Sequence, residues 1–176
     1  MHMELKLTGS GGQGLITAGV ILADAALIDG KNTIQSQSYG PEARGGASKA
    51  EVIISTQEIH FIKVLSCDML LCLTQVAYDR YAKDHNTILI VDESIDLKYH
   101  KEPGAAAKIV HVPILKTASV TIGRPVVANI VALGVVNATL GLVAKESLQK
   151  AVLSRVPKGT EELNNKALDM GYGLVV

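Results

Sequence analysis

The chain opens on a short apolar run at 5–8 that passes straight into Gly9-Ser10-Gly11-Gly12-Gln13-Gly14 and then into a long apolar stretch. The run predicts a strand, and the stretch predicts a helix over roughly 12–28. That helix is closed by Asp29-Gly30, where a glycine suits a cap that needs positive φ. Residues 32–37 and 49–55 read as the next strands, and 38–46 as the loop between them by its Gly and Pro content. A buried strand at 68–73 is followed by a helix near 75–83. Residues 87–91 and 108–112 are two more β-branched runs, too short for ordinary helices. Beyond Pro113 the period becomes helical. Residues 126–142 are apolar nearly all round, which predicts a helix covered on several sides. Residues 145–156 are amphipathic. Residues 160–170 begin on a Thr cap with Glu161 and Glu162 in the first turn, carry Leu163, Ala167 and Met170 on one face, and end at Gly171. Strands that alternate with helices and lack polar alternation predict an α/β, Rossmann-like fold. Its sheet is mostly parallel, with helices on both faces, in a single domain over 1–176.

Composition narrows the function classes. At 176 residues the chain is long enough to bury a core without staples. It is 48% hydrophobic but only 3% aromatic, so that core is aliphatic. Seventeen basic residues balance seventeen acidic ones, and no basic stripe or aromatic platform stands out. Both facts argue against nucleic-acid binding. Only two cysteines occur, Cys67 and Cys72. They cannot form a disulfide framework or supply the four thiolates of a self-contained iron–sulfur or zinc site, and they read as small core residues. The histidines are scattered, with His60 and His111 read as structural. No signal segment opens the chain, and Asn129, Asn137 and Thr139 interrupt its longest apolar stretch. A cytoplasmic protein without a membrane partner is expected.

Gly9, Gly11 and Gly14 stand at G-x-G-x-x-G spacing between a strand and a helix. Gly9 would permit the tight turn, Gly11 the approach of an anion to the backbone, and Gly14 close packing of helix on sheet. Free amides at the helix start favour a phosphate by roughly 0.3–1 kcal/mol, and Ser10 and Gln13 add side-chain donors. The alternative is a glycine turn that serves packing alone. A nicotinamide site also requires an acidic residue at the end of the second strand. Asp29 has the right count but precedes that strand. Residues 33–38 hold no carboxylate, and no arginine for a 2′-phosphate.

Gln35, Ser36, Gln37 and Ser38 form an unusually polar strand end, and the loop after it holds Glu42 and Arg44 between glycines. At the carboxyl end of a parallel sheet such residues face the ligand crevice. Arg44 offers a planar fork for phosphate or carboxylate, with Glu42 placed to order it and Lys49 as a second candidate cation. The alternatives are an ordinary solvated loop and a solvent-facing lysine. Asp92 and Glu93 end a strand and stay unassigned between the crevice and a cap.

The string Gly9-Ser-Gly-Gly-Gln-Gly-Leu15, with Gln37-Ser-Tyr-Gly-Pro-Glu-Ala-Arg-Gly-Gly-Ala-Ser48, resembles the gamma subunit of 2-oxoacid:ferredoxin oxidoreductases. Glu51-Val-Ile-Ile-Ser55, Asn129-Ile-Val-Ala-Leu-Gly134 and Asn165-Lys-Ala-Leu-Asp-Met-Gly-Tyr172 fit the same pyruvate/ketoisovalerate oxidoreductase family. The likeness runs over nearly the whole chain and is greatest to the 2-oxoglutarate branch. It implies a heteromeric enzyme that decarboxylates a 2-oxoacid on thiamine diphosphate. The acyl group then passes to coenzyme A, and electrons pass through iron–sulfur clusters to ferredoxin. Thiamine, magnesium and clusters would sit mainly on partner chains of alpha and beta type, with a delta chain as a further candidate. No nucleophile–base pair can be assembled here, so no catalytic residue is assigned. The expected binding set is Gly9, Ser10, Gly11, Gly12, Gln13, Gly14, Ser38 and Arg44, forming one wall of a coenzyme A or acyl-transfer crevice. The alternatives are a stand-alone nicotinamide- or flavin-binding domain and a purely structural subunit. Helix 126–142 is either a subunit interface or an internal helix.

Overall fold

Strands β1 (His2–Ser10), β2 (Asn32–Ser38), β3 (Ala47–Ser55), β4 (Met69–Cys72), β5 (Ile88–Asp92) and β6 (Lys108–Val112) form one sheet in the order β2-β3-β1-β4-β5-β6. This computed structural model describes residues 1–38, 47–83, 87–100 and 108–175. Pairings from β1 through β4 and β5 to β6 are parallel. β3 alone runs against its neighbours, pairing antiparallel with β2 and β1. The reason is connection length. Residues 39–46 are too few for the crossover a parallel pair demands, so β2 and β3 can only be a hairpin. The sheet is therefore mixed, and the parallel part is the half that carries the glycine turn.

The helices are α1 (Leu15–Ile28), α2 (Gln75–Tyr81), the single turn α3 (Ile114–Lys116), α4 (Ala128–Leu140), α5 (Lys145–Arg155) and α6 (Glu161–Gly173). They cover the two faces unequally. On one face Leu5, Leu7, Val52, Ile54, Met69, Leu71 and Ile90 pack against α1, α4, α5 and α6. Each fully buried leucine there is worth about 1.5–3 kcal/mol. On the other face Leu70, Cys72, Leu89 and Val91 are covered by Tyr78 and Ala82 at α2 and by Ile95. Strand register puts Lys6, Glu51 and Ser36 side by side on this second face.

Helix α4 resolves the two readings of 126–142. Every residue from Ala128 to Asn137 is buried, because α4 lies within the main core with α6 crossing it. Over these ten residues it is internal to the domain. Its approach to α6 depends on Gly134 and Gly171. A methyl group on Gly134 would stand 2.9 Å from the Gly171 Cα, and one on Gly171 would stand 3.0 Å from the Gly134 Cα. Helix α6 continues past Gly171 to Gly173, so that glycine is a packing contact rather than a stop. Thr160 takes the cap position of α6, but its hydroxyl donates to the Pro157 carbonyl at 2.6 Å and accepts from the Asn164 side-chain Nδ2 at 3.0 Å rather than from a backbone amide of the first turn.

The end of α1 is tied to the start of α5. Gly30 adopts φ +70° after the Asp29 cap. The Asp29 carboxylate accepts from the Ala144 amide at 2.7 Å and from the Ser147 hydroxyl. Those bonds, with the Ser147 hydroxyl the largest cause, hold its pKa below the usual 3.8.

Candidate functional site

The glycine turn sits where β1 meets α1. Gly12 and Gly14 carry the left-handed backbone, at φ +86° and +72°. Gly9 does not, and its glycine requirement has another origin. A side chain there would collide with Gln13 and stand 2.8 Å from the Leu15 methyl. Gln13 folds back over Gly9, and its Oε1 accepts from the Ser10 amide at 2.7 Å. One amide of the turn is thus closed by the chain's own side chain, and the Gln13 Nε2 remains as a donor. The amides of Gly11, Gly12 and Gly14 meet no acceptor among the described residues, and Gly11 and Gly12 are exposed.

Gly14 is small because of α4 rather than the sheet. A Cβ there would lie 2.6 Å from Asn129 Nδ2. Asn129 is buried, donates from Nδ2 to the Gly14 carbonyl at 3.2 Å, and accepts from the Ile130 amide at 3.0 Å. In the sequence Asn129 stands out as a polar interruption of the longest apolar stretch and as part of a family string, with no site role assigned to it. Its signal was an amide at the first turn of an otherwise apolar helix.

Gly11, Gly12 and Gln13 open onto a hollow of about 490 Å³, walled by Leu115, Ser119, Pro125, Val126 and Ala128. Its far wall is built by α3, by the wide helical turn Thr117–Thr121 and by the tight turn Pro125–Val127. Wide turns of this kind recur beside functional sites. Asp92 holds that wall in place. Its carboxylate accepts from the Leu115 amide at 2.7 Å and from the Ser94 hydroxyl at 2.6 Å, so Asp92 is a cap and not a crevice group. Val126 stands 77% exposed at the rim. Beyond it lies a second, mainly apolar cavity of about 200 Å³ lined by Ile21, Asn129, Ile130, Val156 and Leu163. The hollow thus offers unpaired amides on one side and hydrocarbon on the other, which suits an anionic group on an apolar arm.

Of the expected binding set, Gly9, Ser10, Gly11, Gly12, Gln13 and Gly14 form this turn. Ser38 ends β2, where its register partner is Lys49. Arg44 and Glu42 lie outside the described residues, as does the rest of 39–46. The described residue that follows it, Ala47, is the register partner of Ser10. Lys49 pairs with Glu51 at 2.6 Å and is not a free cation. His60 and His111 are exposed, and among the described residues no three His, Cys, Asp or Glu are grouped to hold a metal. Cys72 is fully buried and its thiol is pushed up to about 12 by that burial. Among the described residues no helix is long and apolar enough to cross a membrane.

The fold is an α/β protein with a mixed six-stranded sheet and a glycine turn at its open end. The chain belongs to the pyruvate ferredoxin/flavodoxin oxidoreductase family, whose profile matches residues 4–174. It is 49% identical to the 2-oxoglutarate synthase subunit KorC of Methanocaldococcus jannaschii, over 98% of this chain and 93% of that one. It is 35% identical to the ketoisovalerate oxidoreductase subunit VorA of Methanothermobacter thermautotrophicus, over 99% of this chain but 35% of that longer one. The crystal structure of a keto/oxoacid ferredoxin oxidoreductase gamma subunit from Geobacter sulfurreducens superposes with a TM-score of 0.84. That subunit is 49% identical, with 98% of each chain covered.

Proposed function

We propose that the chain is the gamma subunit of a heteromeric 2-oxoacid:ferredoxin oxidoreductase whose substrate is 2-oxoglutarate. The enzyme converts a 2-oxoacid and coenzyme A to an acyl-CoA and carbon dioxide while ferredoxin is reduced. Thiamine diphosphate, whose ylid would stabilise the acyl carbanion, the magnesium that accompanies it and the clusters that carry the electrons are assigned to companion chains. This subunit's contribution is binding. The carrying observation is the pair of exposed amides at Gly11 and Gly12 facing an apolar wall at Leu115, Pro125 and Val126. Backbone N–H groups at a helix start suit the pyrophosphate of coenzyme A, and the apolar wall suits its pantetheine arm. Arg44, three residues before Ala47, is the proposed cation for a further phosphate.

The test is co-expression with companion chains and coenzyme A-dependent reduction of a viologen dye. Turnover is expected with 2-oxoglutarate and at most weak turnover with pyruvate or 2-oxoisovalerate. A complex that turns over equally well without this chain would end the proposal.

A further inference from the structure

Among the described residues no helix covers the second face of the sheet at the trough where β2, β3 and β1 run together. Lys6, Ser36, Lys49 and Glu51 line a trough of about 470 Å³ there, with Ile62, Lys63 and Val64 along its margin. A sheet of this class is ordinarily covered on both faces, and here four helices lie on the opposite side. Beside the trough the 61–65 segment raises three large apolar side chains into solvent. Phe61 is 66%, Ile62 69% and Leu65 71% exposed. The segment is not free to fold them under. The Leu65 and Ser66 amides both donate to Glu4 Oε2, and Asp68 Oδ2 in turn accepts from the Glu4 amide at 2.8 Å. Three solvent-facing apolar side chains on an anchored loop, flanked by charge, mark an interaction surface.

We infer that this trough and the 61–65 ridge are the docking face for a companion chain that offers an apolar hollow to Phe61, Ile62 and Leu65 and carboxylates to Lys6 and Lys63. This rests on the reading that the chain works in a complex. Charge supports the occupant. Lys49 is satisfied by Glu51, whereas among the described residues neither Lys6 nor Lys63 forms an ion pair. That leaves two unmatched cations at the site. Length supports it too. In the ketoisovalerate relative this fold is about a third of the chain, so it is tethered there to a larger body, whose counterpart is the occupant assigned here. The internal position of α4 leaves assembly to such an outer face.

The experiment is retention of this chain on an affinity-tagged companion in the co-expressed complex, with the oligomeric state of the isolated chain measured by light scattering. Phe61→Ser/Leu65→Ser is expected to weaken retention about tenfold or more, with the melting temperature of the isolated chain unchanged because both side chains are exposed. Lys6→Glu/Lys63→Glu is expected to slow association, most strongly at low salt. Leu27→Ser, at an exposed leucine near the far end of α1, is expected to bind as wild type. Wild-type retention of Phe61→Ser/Leu65→Ser would overturn the assignment. So would loss of a self-dimer with companion binding intact, which would make a second copy the occupant. Failure of the wild-type chain to join any companion would overturn this inference together with the proposed function. A failed coenzyme A titration, with assembly still sensitive to the ridge, would count only against the crevice.

Discussion

Asn129 reaches across 115 residues to the Gly14 carbonyl, so the first turn of α4 holds the glycine turn in place. That carbonyl also accepts the first helical bond of α1, from the Ala18 amide at 2.9 Å. Asn129→Ala removes two hydrogen bonds from a buried site. It should cost about 1–3 kcal/mol, which for a domain of this size lowers Tm by roughly 2–10 °C. Asn129→Asp keeps the acceptor for Ile130 but sets oxygen against the Gly14 carbonyl. It should weaken ligand binding at the turn more than Asn129→Ala does. Thermal melts and ligand titration of both variants measure the two effects separately.

The α4–α6 crossing makes a stricter prediction. Gly171→Ala drives a methyl group into the Val131 carbonyl, and Gly134→Ala drives one into the Leu168 carbonyl. Backbone cannot step aside as a side chain can. Each variant should lose at least the 1–3 kcal/mol typical of an overpacked core, read as a lower midpoint in urea. Gly173→Ala, where a Cβ meets nothing within 4 Å, should be within about 0.5 kcal/mol of wild type.

The Asp29 cap should show a defined pH dependence. Its pKa is lowered in the folded state, so its contribution is present above the unfolded carboxylate value and is lost as pH falls through the folded one. Asp29→Asn should cost about 0.5–2 kcal/mol near neutral pH. The gap from wild type should close as pH drops below the ordinary carboxylate range. Chemical denaturation of both proteins across that range checks the sign, and a gap that widened in acid would refute it.

The thiols should differ sharply. Cys72 is buried with a raised pKa, and the Thr8 hydroxyl lies 3.4 Å from its sulfur. Cys67 is half-buried. A thiol reagent at pH 8 should therefore modify at most one cysteine in the native chain and both after denaturation.

Much of this architecture was legible because the apolar periods are clean. All six strands and the long helices fall where the alternation of short β-branched runs and longer stretches puts them. The direction of β3 was readable only from the shortness of 39–46, since nothing in a strand's residues records its polarity. The roles within the glycine turn were legible as a group but not singly. Gly9 makes room for Gln13 and Gly14 for Asn129, contacts set by side chains that only the fold brings near. Whether α4 faced inward could not be read from its own residues, because an internal helix and an interface helix are apolar alike. The clue was Gly134, an interior helical glycine that α6 needs for close approach.

Coenzyme A titration into the assembled complex, comparing wild type with Gly11→Asp, tests the central claim most directly. Gly11 is exposed and needs no left-handed backbone, so the variant folds and simply places a carboxylate where the pyrophosphate would rest. The account predicts coenzyme A affinity at least about tenfold weaker, a difference of roughly 1.4 kcal/mol, with assembly unchanged. Equal affinity in the two complexes would contradict it.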